Sequence, residues 1–190
     1  MNGEAGSVDR PGGHMLRVIE SDRLTLVAAT RELVAADLAG RAALSAGLKA
    51  DVGLEWPPDL FSTTVMRVIQ EQLRDDSEIG WSAWYLLHRE QGEQKLVGIC
   101  QFKGRPDTAG SVEIAYSMLA SHRNKGFATE AVARLVQWAL GHQAVREVCA
   151  ETLPYRRHSI RVLEKLGFCF AGPGSEQGVV RYVLREPAGR

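Results

Sequence analysis

Apolar positions along this chain keep two different rhythms, and the change from one to the other marks out its elements. Arg23-Leu24-Thr25-Leu26-Val27 alternates polar with apolar and predicts a first strand. Helical spacing then predicts helices over about 30–39 and 40–49. Glu55-Trp56-Pro57-Pro58-Asp59 breaks the chain. Asp59 or Ser62 can cap the next helix, whose apolar face is Phe61, Val65, Val68, Ile69 and Leu73, before Asp75-Asp76-Ser77 ends it. Strands are expected over 81–88 and 95–102, joined by the polar hairpin loop 89–93. A turn at 106–110 leads into a third strand over 111–119. There the period changes: Ala128, Ala131, Val132, Leu135, Val136, Ala139 and Leu140 share one helix face, Glu130, Arg134 and Gln137 lie opposite, and Gly141 is a stop. A strand over 147–152 follows, then a helix over about 156–166 buried through Ile160, Leu163 and Leu166 and closed by Gly167. Segments 168–171 and 179–185 are the last two strands. This order predicts an α/β domain with a mixed, mostly antiparallel central sheet flanked by helices.

A chain of 190 residues fits one domain with a sizeable core. Residues 1–14 contain Glu4 and Asp9 but no apolar run, so they are expected to be a flexible tail rather than a secretory signal, with the domain spanning 15–190. The formal net charge of zero argues against general affinity for nucleic acid or an anionic membrane. No apolar run reaches the roughly twenty residues of a membrane span, and a cytoplasmic protein is expected. Cys100, Cys149 and Cys169 show no CxxC or Cys/His spacing, so no metal is expected, and each reads as a buried small hydrophobe within a strand.

The most informative chemistry lies where the 111–119 strand runs through Ala120-Ser121-His122-Arg123-Asn124-Lys125-Gly126 into the long helix. The first turn of a helix carries unpaired N–H groups and partial positive charge, which together favour an anion, most often phosphate. Gly126 lets a ligand approach the backbone closely, Ala128 keeps the wall small, and Arg123 and Lys125 add cations at the same mouth. The order GxxxxGK[ST] is missing, and no GxGxxG follows a strand, so neither a P-loop nor a dinucleotide fingerprint is present.

Arg123, Gly126 and Ala128 form R-x-x-G-x-A, which resembles the acyl-coenzyme A pyrophosphate loop of the GNAT-type N-acetyltransferase superfamily. Glu113-Ile114-Ala115-Tyr116 and Ala128-Thr129-Glu130-Ala131 resemble its ribosomal-protein and small-amine branch. A second block, Glu151-Thr152-Leu153-Pro154 through Ser159-Ile160-Arg161-Val162-Leu163-Glu164-Lys165-Leu166-Gly167-Phe168, is similar to a later motif of that branch. The resemblance implies a single-domain acyl-CoA N-acyltransferase fold, acetyl-CoA (coenzyme A) as cofactor, and direct acetyl transfer to a primary amine of a protein N-terminus or a small molecule. It implies that the pantetheine arm pairs with backbone at Met118, Leu119 and Ala120. The diphosphate would meet Arg123, Asn124, Lys125, Gly126, Phe127, Ala128 and Thr129, with Arg156 as a further phosphate contact. A homodimer is compatible with the resemblance.

For catalysis, Glu113 breaks an apolar run on the strand beside the cofactor and is the candidate general base. An outward-facing strand glutamate would fit the same pattern. Ser159 matches a serine of the branch and could hydrogen-bond the departing sulfur, although a solvent-facing serine at a helix start reads the same way. Two departures stand out: Arg156 replaces a frequent asparagine, and Leu163 holds the place of a common tyrosine acid. They leave a non-catalytic acyl-CoA-binding sensor as the alternative. On the acceptor side Glu55 or Asp51 could attract a cationic amine, while Tyr116, Trp56, Trp81, Trp84 and Tyr85 are read first as packing residues.

Overall fold

The computed structural model describes residues 7–8 and 16–185. Its strands are β1 (Ser7–Val8), β2 (Leu16–Glu20), β3 (Leu24–Ala28), β4 (Ala83–Glu90), β5 (Glu93–Phe102), β6 (Ser111–Met118), β7 (Glu147–Thr152), β8 (Cys169–Pro173) and β9 (Val180–Arg185). Its helices are α1 (Arg31–Ala39), α2 (Arg41–Leu48), α3 (Thr63–Gln72), α4 (Phe127–Leu140) and α5 (Arg157–Lys165). The strands form one sheet in the order β1-β2-β3-β4-β5-β6-β7-β9-β8. Every pairing is antiparallel except that of β6 with β7. This is the mixed, mostly antiparallel α/β architecture the sequence predicts. Ser7–Val8, within the expected tail, pair with β2; the rest of 1–14 lies outside the described residues.

Local chemistry explains the element ends. Thr30 caps α1 by accepting from Leu33 N–H, and Ser62 rather than Asp59 caps α3 through Val65 N–H. Gln91 and Gly92, with φ of 52° and 87°, turn β4 into β5, a pair of left-handed residues suited to a tight hairpin. Strand β2 was not among the expected elements. Two expectations are also corrected. Val68 is exposed and Met66 buried, because α3 starts after Phe61 and its inward stripe is Met66, Ile69 and then Leu73 beyond its end. Cys169 is exposed on β8, the outermost strand beside β9, whereas Cys100 and Cys149 are buried.

One core lies on each face of the sheet. Alternate side chains of β3 to β7 pack with Phe127, Ala131, Val132, Leu135, Val136 and Ala139 of α4 and Leu163 of α5. The other faces of β3 to β5 pack with Leu33, Val34, Leu44, Leu48, Met66 and Ile69 of α1–α3. Trp81, Trp84 and Phe102 meet Trp138 of α4 at 4.6–5.8 Å between ring centroids. Trp56 and Tyr85 lie under α1, both donating to Asp37, at 2.7 and 3.0 Å. Burial pushes the Asp37 carboxyl above the usual range, against the lowering effect of those two donors. The aromatic first half therefore builds cores.

Gly98 closes β5 against the end of β6. A Cβ there would lie 2.7 Å from both the Ser117 carbonyl oxygen and Met118 Sδ. Gly98→Ala should therefore cost roughly 1–3 kcal/mol of stability through overpacking, read as a lower urea midpoint at unchanged slope.

Candidate active site

Hydrogen-bond alternation decides which backbone groups of β6 are free to meet a ligand. At one end Lys103 N–H donates to the Glu113 carbonyl, and at the other Leu119 N–H donates to the Val97 carbonyl. The odd-numbered residues between them thus spend their backbone groups on β5, and the even-numbered residues turn theirs to the opposite edge. On that edge β7 pairs only with Ser111, Val112 and Glu113. Past Glu113 the two strands separate, so β6 has no partner strand there from Ile114 to Met118. The open edge thus runs through Ile114, Tyr116 and Met118. Leu119 and Ala120, expected to share it, have their carbonyls bonded to His122 and Arg123 N–H.

The gap between the strands is a cleft of about 240 Å³. Glu113, Ala115 and Leu60 line it together with Tyr116, Ser159 and Leu163, so it is walled from both faces of the sheet. Arg156 lines it as well, from the turn before α5. The Tyr116 hydroxyl donates to the Ser159 carbonyl at 2.9 Å and ties β6 to the first turn of α5. Burial holds that phenol well above its usual pKa, so it keeps its proton. Glu113 is the last residue paired to β7; its half-buried carboxylate lies 2.5 Å from Lys103 Nζ. Opposite, Glu151 of β7 accepts from the Ser175 N–H and hydroxyl. Burial raises the Glu151 pKa, but these bonds with the Lys103 and Arg181 charges bring the net below the usual range. They also hold the β8–β9 connection against the cleft.

Beyond Met118 the chain makes one 3₁₀ turn, Ala120–His122, and reaches the start of α4. Asn124 and Gly126 are left-handed, with φ of 61° and 84°. Arg123, Asn124, Lys125 and Gly126 are all exposed, and the N–H groups of Phe127, Ala128 and Thr129 form the helix's first turn. Arg123 itself is directed elsewhere: its Nε donates to the Met118 carbonyl at 3.2 Å and its Nη2 pairs with Asp59 at 2.7 Å. Glu55 accepts from Ser121, and Asp51 pairs with Lys95, so both of these carboxylates have partners away from the cleft.

The group that sequence reading missed is Arg23. Its Nη1 donates to the Lys125 carbonyl at 3.0 Å, its guanidinium stacks 4.6 Å over the Phe127 ring, and Nη2 lies 3.2 Å from where a Gly126 Cβ would sit. A cation beside a helix N-terminus is unfavourable by itself, and Glu130 offsets it with an ion pair at 2.7 Å. No local motif marks Arg23, which stands more than a hundred residues upstream.

These features are those of a known protein class. The sequence profile of the acetyltransferase (GNAT) domain matches residues 23–169. An uncharacterized N-acetyltransferase of Bacillus subtilis, YjdG, is 30% identical over 131 residues, covering 69% of this chain and 77% of that protein. The apo crystal structure of RimL, a ribosomal L7/L12 α-N-protein acetyltransferase, superposes with a TM-score of 0.65 at 21% identity over 95% of this chain and 100% of that one. A RimL structure in complex with coenzyme A does so at 0.62 and 20%, over 89% and 98%. At those identities the two structures speak for the fold.

Glu130 gives a pH test of the loop's support. Burial raises its pKa, but bonds from Ser21 and Arg23 and the guanidinium charge outweigh this and leave it lowered. A carboxylate with a depressed folded value stabilises above its unfolded pKa, about 4.3. Wild type should therefore be more stable than Glu130→Gln at neutral pH. That difference should vanish as pH falls through the lower folded value, measured by denaturant unfolding across the acid range.

Proposed function

The chain belongs to the GNAT acetyltransferase family, an acetyl-CoA-dependent enzyme class, and from that premise we propose how its cleft works and what it acetylates. The reading is direct transfer of the acetyl group from acetyl-CoA to a primary amine, either a protein N-terminus or a small-molecule amine. One observation carries it: a single open strand edge leads from the exposed turn before α4 to a cleft holding Glu113 and Ser159.

The residues fit the cofactor. Phe127, Ala128 and Thr129 offer N–H groups to a diphosphate, Asn124 and Gly126 shape the turn, and Lys125 and Arg23 supply cations beside it. Arg123 contributes as a brace, fixing Met118 and Asp59 around the turn. Arg156 lines the cleft wall and is the candidate for a further phosphate contact. Ile114 and Tyr116, with the Met118 N–H, present backbone to an extended pantetheine in the manner of an added strand, the Met118 carbonyl being held by Arg123. Bound acetyl-CoA supplies an activated thioester.

Glu113 then takes the proton of the attacking amine, directly or through water. Ser159 faces the departing sulfur from the first turn of α5, held there by Tyr116. Leu163 is buried in the wall, so this chain places no tyrosine at that position. The RimL name supports a protein α-amine as acceptor, and the exposed Leu60 at the cleft's edge suits an apolar N-terminal residue.

Two variants separate cofactor binding from chemistry. Gly126→Glu should abolish acetyl-CoA binding by calorimetry, since a carboxylate would occupy the anion site; unchanged affinity would remove the turn from the reading. Glu113→Gln should leave that affinity intact and lower thiol release over an amine panel by about 10²–10⁴-fold at neutral pH. Equal turnover across pH would make Glu113 scaffold.

A further inference from the structure

Lys103 follows directly after β5, and its N–H closes the last rung with Glu113 at 2.9 Å. Its side chain rises on the same face of the sheet as that of Glu113, and its ammonium meets the Glu113 carboxylate at 2.5 Å. An ion pair that is half in water contributes only about 0–1 kcal/mol, so stability gives little reason for it. Its position is more informative. Among the residues lining the cleft Lys103 is the one lysine, beside Glu113, Ala115 and Tyr116. The other lysines, Lys49, Lys95, Lys125 and Lys165, do not line it. Arg156 and Arg181 are the nearby cations, and a guanidinium stays protonated and cannot serve as an amine nucleophile.

A primary amine already paired with the candidate base, inside the gap that would hold a thioester, has the arrangement required of an acceptor. We propose that Lys103 is an internal acceptor: without an external amine, the chain acetylates its own Lys103 from acetyl-CoA. This rests on the cleft being the acetyl-CoA site. Glu113 takes one proton from the Lys103 ammonium. The freed nitrogen lone pair forms the N–C bond to the thioester carbonyl carbon. The C–S bond breaks with its electron pair on sulfur. The second nitrogen proton passes to that sulfur through water or Ser159. The products are Nε-acetyl-Lys103, the coenzyme A thiol and protonated Glu113, which returns its proton to solvent. The two groups are held 2.5 Å apart within one chain, so the reaction is intramolecular and independent of protein concentration.

The test incubates the full chain with acetyl-CoA and no added amine, and maps acetylation by peptide mass spectrometry over a range of protein concentrations. Calorimetry follows acetyl-CoA binding, and parallel samples receive a dipeptide with a free α-amine or spermidine. The expected result is one acetyl group on Lys103, formed at a rate per molecule that does not change with concentration. It should be suppressed about 10²-fold or more in Glu113→Gln, and Lys103→Arg should carry no acetyl group at that position. Similar acetylation of Lys49, Lys95, Lys125 and Lys165, or full modification of Lys103 in Glu113→Gln, overturns the proposal. Binding and thiol release with the dipeptide or spermidine but an unmodified Lys103 also overturns it, and leaves the transferase reading standing. Failure to bind acetyl-CoA removes both.

Discussion

Everything at the site follows from a ladder that stops. Parallel strands β6 and β7 exchange hydrogen bonds over three residues and then diverge, although both continue as strands. Buried backbone groups without partners are costly, so a strand edge left open inside a sheet must be met by water or by a ligand. The divergence persists because each strand is held from its other side, β6 by β5 and β7 by β9, over five and six registered pairs. Two well-anchored half-sheets thus enforce a gap that neither strand could maintain alone.

The neighbouring helices use the same gap. Helix α4 packs its whole apolar face on one core, which fixes where its N-terminus points. Helix α5 is shorter and buries one residue fully, Leu163; Ile160 packs beside it, and the Tyr116 hydroxyl adds a bond to its first turn. Electrostatics follow this geometry: Arg23, Arg123 and Lys125 gather around the Gly126 end, and at the other end the Glu113 and Glu151 carboxylates are paired with Lys103 and Arg181. The arrangement suits a reagent with a charged tail and a neutral reacting head.

Much of this was legible in the sequence. The strand-to-helix passage around Gly126 could be read because its signals are local: alternation, a glycine, then a 3.6-residue period. Glu113 and Ser159 fall on the cleft because strand alternation and a helix start place them there. The end of the β6–β7 ladder could not be read, since it depends on which strands flank each half-sheet. For the same reason the even-numbered edge at Ile114, Tyr116 and Met118 emerged only with the β5 register. Arg123 was legible as a cation at the mouth, but its partner Asp59 comes from the break before α3. The α3 stripe was misphased by Phe61, an apolar residue that packs in the core from just outside the helix. Lys103 gave no signal of its own, because a lysine after a strand is ordinary until its neighbour across the hairpin is known.

The contact between Arg23 and Glu130 spans 107 positions of chain. On a ribosome adding about 5–20 residues per second, roughly 5–20 s separate the emergence of its two partners. The β2–β3 hairpin must also wait for β4 before its inner edge is covered. The turn at Gly126 can therefore take its final shape only after Glu130 has left the tunnel, whereas the β3 edge is covered earlier, once β4 emerges.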